Sequence, residues 1–142
     1  MEQAKKTILI SGASIAGLTL AYWLTQNAGH KLKVTIVEIS SGLRRGGSPI
    51  DVRGEALAVA REMGILEKIK AKEFVHSTVV LNAQNETLFT FEVNAQAEYL
   101  GDIEIHRDDL VDILYENIPT DEVEFLFENK IEELIQHEDK VK

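Results

Sequence analysis

The chain has 142 residues, of which 44% are hydrophobic and 27% charged, and its net charge is −9. Such a chain can form one domain with an apolar core, and its acidic balance argues against non-specific nucleic-acid binding. The absence of cysteine excludes disulfides and thiolate chemistry and suits a reducing compartment. With neither an apolar run of about 20 residues nor a secretion signal, the sequence predicts a cytoplasmic protein without a membrane span.

The first predicted elements are a strand, a tight turn and a helix. Residues 7–11 predict a buried strand, residues 12–17 (GASIAG) form the turn, and residues 15–28 predict a helix packed on a sheet. In such a turn the first glycine allows the sharp reversal and the last lets helix and strand pack closely. The helix amino terminus offers unpaired N–H groups to an anion, so this segment predicts a site for a dinucleotide pyrophosphate.

The middle position of the turn is Ser14, where the usual motif has glycine. A second strand is predicted over 34–37, and Glu38 stands at its carboxyl end, 21 residues after Gly17. An acid about 20 residues after the turn hydrogen-bonds an adenosine ribose, and its charge repels a 2′-phosphate. The alternative is a strand-turn-helix that binds no ligand and leaves Glu38 solvated.

The middle of the chain predicts a loop, two helices and a hairpin. The loop over 39–49 is rich in glycine, serine and proline, and residues 50–54 continue it. The following elements are a helix over 55–63 ended by Gly64, a helical piece over 65–72, and two strands over 74–82 and 87–93 that form an antiparallel hairpin.

The last third predicts a strand over 103–106, a helix over 107–115 and a strand over 122–127. Residues 130–142 alternate weakly and resemble half of a hairpin without its closing strand, and such an exposed edge predicts self-association. The histidines have no spacing typical of a metal site, and no serine, histidine and acid arrangement indicates a hydrolase: His30, His76, His106 and His137.

Four blocks of sequence carry a resemblance to a known family: GASIAGLTLAYWL at 12–24, VTIVE at 34–38, LRRGGSPIDVRGEAL at 43–57 and IHRDDLVDIL at 105–114. Together they resemble the amino-terminal part of the FAD-dependent aromatic hydroxylases, flavin monooxygenases that include the tetracycline-inactivating enzymes. The resemblance implies an α/β fold with an incomplete, Rossmann-like FAD-binding βαβ domain. That domain would comprise residues 1–72 and 103–142, and residues 73–102 would be a short antiparallel hairpin from the substrate-domain sheet.

The resemblance also implies roles for individual residues. The pyrophosphate of FAD would lie on the turn and the helix start: Gly12, Ser14, Ile15, Ala16 and Gly17. Glu38 would bind the ribose, Arg107 would reach the phosphate and ribitol region, Asp51 would lie against the flavin, and Arg44 would contact the cofactor. Other interpretations are a surface ion pair of Arg107 with a neighbouring acid and a loop salt bridge between Asp51 and Arg53.

The activity that the resemblance implies is hydroxylation of a small aromatic or polycyclic organic substrate, with FAD as cofactor and NAD(P)H and O2 as co-substrates. No side chain is assigned as a catalytic acid or base, and no metal is expected. A second flavin-contacting motif of the family does not occur before Lys142. We therefore expect this chain to be inactive as a fragment and to bind FAD weakly or not at all. An NAD-binding Rossmann module and a non-catalytic nucleotide-binding domain remain as alternatives.

Overall fold

The computed structural model describes residues 6–28, 31–74, 77–92, 101–119 and 121–142. The elements are β1 (Lys6–Ser11), α1 (Ile15–Ala28), β2 (Leu32–Glu38), β3 (Ile50–Val52), α2 (Glu55–Glu62), α3 (Leu66–Lys70), β4 (Ser77–Leu81), β5 (Thr87–Glu92), β6 (Ile103–Ile105), α4 (Arg107–Glu116) and β7 (Val123–Phe127). They group into unit 1, within Met1–Arg45 and Leu114–Lys142, and unit 2, within Gly46–Ile113.

Unit 1 is built on a three-stranded sheet in the order β1-β2-β7. All of its pairings are parallel, with Ile36 of β2 between Ile10 of β1 and Phe125 of β7. Helix α1 connects β1 to β2, so the first three elements form a βαβ unit. The predicted α/β class is confirmed, and α1 has the bounds that the sequence pattern predicts.

The core of unit 1 lies where α1 packs on the sheet. Leu18 and Ala21 of α1 and Ile36 of β2 are fully buried. The prediction that residues 7–11 form a buried strand is wrong in part, because Ile10 is buried but Leu9 is 53% exposed. β1 is an edge strand of this sheet, and the face that carries Ile10 is the one against α1.

Unit 2 contains a short antiparallel pair, β3 with β6, in which Ile50 lies opposite Ile105 and Val52 opposite Ile103. The expectation that residues 50–54 only continue the preceding loop is wrong for 50–52, because these residues pair with a strand about 50 positions away. The buried apolar residues of this unit come from these strands, from the segment of α2 and α3, and from the part of α4 that belongs to unit 2: Val52, Ala60, Met63, Ile65, Leu66, Ile69, Ile103, Ile105, Leu110, Val111 and Ile113.

Helices α2 and α3 agree with the sequence prediction apart from shorter ends. Gly64 follows α2 with a φ of 71°, a left-handed conformation that glycine adopts without strain. The N–H of Ile65 then donates to the carbonyl of Ala60 at 3.0 Å, which closes the end of the helix.

The predicted hairpin is confirmed as β4 and β5, which pair antiparallel with Thr78 opposite Phe91. Its first strand is shorter than predicted, since Phe74 instead donates its N–H to the carbonyl of Glu104 at 3.3 Å. Residues 75, 76 and 93 of the prediction lie outside the described residues. Both strands carry exposed apolar side chains: Val79, Leu81, Leu88, Phe89 and Phe91.

The last residues differ from the prediction of half a hairpin. Ile135 and Lys142 exchange backbone hydrogen bonds of 2.8 and 2.9 Å, and the N–H of His137 donates to the carbonyl of Lys140 at 2.8 Å. The segment therefore closes on itself around residues 137–140. Within the described ranges, no helix is both long and apolar enough to cross a membrane.

Candidate functional site

The turn between β1 and α1 is tied by its backbone to the end of β2. Gly12 has a φ of 103°, which favours glycine, and its N–H donates to the carbonyl of Val37 at 2.8 Å. The next N–H, of Ala13, donates to Oε2 of Glu38 at 2.8 Å. Two successive residues of the turn are thus held by the last two residues of β2.

Gly17 allows the close approach of α1 to the turn. A Cβ at this position would lie 2.0 Å from the carbonyl oxygen of Gly12 and 3.3 Å from a methyl group of Ile10. No side chain fits at the first of these distances without movement of the backbone. The sequence-based role of this glycine, close packing of helix and strand, agrees with this geometry.

The start of α1 has the properties of an anion site. The first i to i−4 bond of the helix runs from the N–H of Leu18 to the carbonyl of Ser14 at 2.9 Å. The N–H groups of Ile15, Ala16 and Gly17 precede that bond, so they have no such partner inside the helix. The first turn of α1 contains no acidic residue that would repel an anion. These donors, together with the positive end of the helix dipole, fit a diphosphate.

Glu38 is a buried carboxylate, 8% exposed, at the last position of β2. Its Oε1 accepts a hydrogen bond from the N–H of Ser40 at 3.0 Å, while Oε2 accepts that of Ala13. Donation by Ser40 first, and then by Ala13, lowers the pKa of Glu38, so the side chain is ionised at neutral pH. Each carboxylate oxygen retains capacity for a further donor such as a ribose hydroxyl. Because Glu38 is buried, the alternative in which its side chain is solvated is wrong.

The predicted site residues of unit 2 lie around a second glycine segment. The N–H of Gly46 donates to Oδ2 of Asp108 at 2.9 Å, and Nη1 of Arg107 donates to the carbonyl of Gly46 at 3.4 Å. A Cβ on Gly47 would lie 3.0 Å from Cδ of Arg107. Asp51 is exposed in β3, opposite Glu104 of β6.

The structure brings the sequence-predicted residues together in two groups. In unit 1 the turn, the start of α1 and Glu38 form one group, and exposed Arg44 lies in the loop after β2. In unit 2 Arg107 lies against the Gly46 and Gly47 backbone. Among the described residues no group of histidines and acids has the arrangement of a metal site, and His30 and His76 lie outside those residues.

The sequence analysis did not identify two groups that take part in the candidate site. One is the N–H of Ala13, which has no signature because any residue provides it. The other is Asp108, whose contact with Gly46 spans 62 positions. Its place directly after Arg107 was the available signal, but an acid at a helix start is already explained by the helix dipole.

Nearly the whole chain is similar to several known proteins and solved structures. A flavin-dependent monooxygenase from an unknown prokaryotic organism is 38% identical over 138 residues, which are 96% of this chain and 34% of that protein. An uncharacterized Mycobacterium tuberculosis protein is 38% identical over 96% of this chain and 37% of its own length. The tetracycline destructase Tet(55) has 38% identity and a TM-score of 0.80 over 99% of this chain and 34% of its own.

The chain is similar to an amino-terminal portion of proteins named flavin-dependent monooxygenase and of tetracycline destructases. It spans about a third of the length of these relatives and corresponds to an amino-terminal portion of them. A complex of aklavinone-11 hydroxylase with FAD and aklavinone, at 20% identity and a TM-score of 0.74, shares the fold. No family model matches the chain. The resemblance that the four sequence blocks indicate is confirmed by these relatives and solved structures.

Proposed function

We propose that this chain is the FAD-binding portion of a flavin monooxygenase that hydroxylates a small aromatic or polycyclic organic substrate with NAD(P)H and O2. The observation that carries the proposal is the anion-binding turn whose second N–H is bonded to the buried, ionised Glu38. This pairs donors for a diphosphate with an acceptor for a ribose. Relatives named flavin-dependent monooxygenase and tetracycline destructase support the reaction class.

In this proposal the residues of unit 1 bind the adenosine diphosphate half of FAD. The N–H groups of Ile15, Ala16 and Gly17 donate to the pyrophosphate, and Ser14 and Gly12 shape the turn beside it. Glu38 accepts hydrogen bonds from the ribose hydroxyls. Arg107 adds a planar cation toward the phosphate and ribitol region, and Arg44 and Asp51 are further cofactor contacts. The flavin supplies the redox chemistry when bound, while the protein binds, orients and shields it.

FAD is favoured over NAD by a feature of unit 2 that an NAD module does not need. A simple NAD module needs only the turn and the ribose acid, and this chain also has Arg107 packed along a second glycine segment at Gly46 and Gly47. The similarity to flavin monooxygenases covers 96% of the chain and includes that segment. An NAD-binding module is the second candidate, because the turn and the ribose acid are also the features that such a module needs.

The domain arrangement belongs to the same proposal. Residues 1–72 and 103–142 form a Rossmann-like FAD-binding domain, and residues 73–102 belong to the substrate-domain sheet. The exposed apolar side chains of β4 and β5 support the latter, because a two-stranded ribbon buries little apolar surface by itself. A cytoplasmic location fits the absence of cysteine.

The test uses protein expressed from the complete reading frame. We expect it to purify yellow, to show a flavin absorption band and to consume NAD(P)H in air. Colourless protein that binds NAD and takes up no added FAD would contradict the proposal and favour the NAD module.

A parallel measurement addresses the 142-residue chain itself. We expect it to turn over no substrate, to bind FAD more weakly than the full reading frame product, and to self-associate in light scattering through the edge strand β1. A monodisperse monomer with a cooperative melt would contradict the expected self-association.

A further inference from the structure

Asp108 binds the backbone of the segment that Arg107 also contacts. Its Oδ2 accepts the N–H of Gly46 at 2.9 Å, while Nη1 of Arg107 donates to the carbonyl of the same glycine at 3.4 Å. Gly46 has a φ of 81°, so its two polar groups are presented by a conformation that favours glycine. The neighbouring side chains Arg107 and Asp108 thus hold the N–H and the C=O of one residue.

The stem of Arg107 runs along the next residue, Gly47. Its Cδ lies 3.0 Å and its Cβ 3.7 Å from the position that a Cβ on Gly47 would occupy. The direction of the Arg107 side chain is therefore set by the backbone of Gly46 and Gly47. That backbone is in turn fixed by its hydrogen bond to Asp108.

The favourable effect of a negative charge at the start of α4 is not sufficient to explain why an aspartate stands at position 108. Its Oδ1 is buried and has no hydrogen-bond partner within the described part of the chain, which costs free energy. Asp109 provides the same charge in the same helical turn, and its Oδ1 pairs with Nζ of Lys72 at 3.0 Å. Asp109 alone provides a negative charge that interacts favourably with the helix dipole, so Asp108 has a separate role.

We propose that Asp108 is a positioning residue that holds the Gly46 segment so that Arg107 is fixed in the orientation that binds FAD. The inference rests on the proposed function, in which Arg107 contacts FAD. Without Asp108, the Gly46 N–H loses its acceptor and the guanidinium of Arg107 loses a fixed carbonyl. FAD binding must then order the arginine, and this ordering weakens the affinity.

The experiment measures the dissociation constant of FAD by flavin fluorescence for protein from the complete reading frame. We expect Asp108→Ala to weaken binding roughly tenfold and Asp109→Ala, the matched control, to change it less than about twofold. Asp108→Asn should fall between wild type and Asp108→Ala, because its amide oxygen can still accept the Gly46 N–H.

A double-mutant cycle separates positioning from general stabilisation. In an Arg107→Ala background we expect Asp108→Ala to weaken FAD binding by less than about twofold, because the arginine that it positions is gone. An equal loss in both backgrounds, or a loss no larger than that of Asp109→Ala, overturns the inference. If Asp108→Ala does not fold by circular dichroism, the same cycle with Asp108→Asn decides. Wild-type protein that binds no FAD overturns the proposed function, whereas an unaffected Asp108→Ala overturns this inference alone.

Discussion

The two glycine segments of the chain are held by the same kind of bond in different surroundings. Oε2 of Glu38 accepts the N–H of Ala13 at 2.8 Å, and Oδ2 of Asp108 accepts the N–H of Gly46 at 2.9 Å. Glu38 ends a central strand and is 8% exposed, whereas the Gly46 segment is an exposed loop. The first bond is part of the core of unit 1, and the second organises a surface of unit 2.

Because of this difference, we expect substitutions in the two segments to affect different properties, stability in one case and cofactor affinity in the other. Changes at the buried segment should lower the free energy of unfolding, because the strand, turn and helix share those contacts. Changes at the exposed segment should act mainly on cofactor affinity, because little apolar packing depends on it.

Gly17→Ala should have the largest effect. The added Cβ would lie 2.0 Å from the carbonyl oxygen of Gly12, a backbone atom that cannot rotate away. We expect the free energy of unfolding, measured by urea denaturation, to fall by about 3 kcal/mol or more. Gly42→Ala is the control, since nothing lies within 4 Å of its Cβ position. Equal stability of the two variants would contradict the packing argument.

Glu38→Gln should have the next largest effect. The amide keeps one acceptor oxygen, but it loses the second acceptor and the negative charge that strengthen the hydrogen bonds from the N–H groups of Ala13 and Ser40. We expect a loss of about 2 kcal/mol at pH 7, together with weaker FAD binding. Glu124→Gln on β7 is the matched control, because Glu124 is exposed and pairs with Lys33, and the amide oxygen can still accept the Thr35 hydroxyl that Glu124 accepts at 3.1 Å; its loss of stability should be much smaller than that of Glu38→Gln. A loss as small as that of the control would mean that the two N–H donors find other acceptors.

The stability of the wild type should also depend on pH through Glu38. Backbone donation holds the pKa of Glu38 below its ordinary value of 4.5, so its contribution is complete above that pH. It is lost as the pH falls through the lower, folded-state pKa. The stability difference between wild type and Glu38→Gln, followed by denaturation at successive pH values, should therefore shrink in acid. A difference that stays constant would contradict the lowered pKa.

Gly47→Ala tests the exposed segment. Its φ of 147° disfavours a side chain, and the new Cβ would lie 3.0 Å from Cδ of Arg107, a flexible neighbour. We expect a stability loss of about 1 kcal/mol, clearly smaller than that of Gly17→Ala. FAD affinity should fall about as much as for Asp108→Ala, because Arg107 is displaced. A change in stability without a change in affinity would place Arg107 outside the cofactor site.

Ile39→Arg should have the smallest effect. Ile39 directly follows Glu38 and is 69% exposed, so a longer side chain fits there without disturbing the core. A planar guanidinium stacked on the adenine should strengthen FAD binding roughly twofold to fivefold in titration. Ile39→Lys, which adds the charge without the planar group, should not give this gain. Equal gains for both variants would indicate a purely electrostatic effect.

The sequence predicts much of unit 1 because its signals are local. The bounds of α1 follow from the turn and the apolar spacing after it, and the place of Glu38 at the end of β2 follows from its distance from Gly17. These features depend on neighbours within about one βαβ unit. The geometry of the predicted cofactor turn therefore agrees closely with the sequence pattern.

The features that the sequence does not predict depend on distant partners. β3 is only three residues long and forms because β6 pairs with it. The exposure of Leu9 depends on whether another element covers the face of β1 opposite α1, and the role of Asp108 depends on a glycine 62 positions away. Local periodicity contains no information about such contacts.

The bonds of Gly12 and Ala13 to the end of β2 also couple the shape of the turn to strand pairing. Both acceptors, the carbonyl of Val37 and the side chain of Glu38, are contributed by a strand that follows the turn by about 25 residues. The observed shape of the turn therefore depends on β2 being in place beside β1. A ligand that binds only this shape would stabilise the paired strands by mass action.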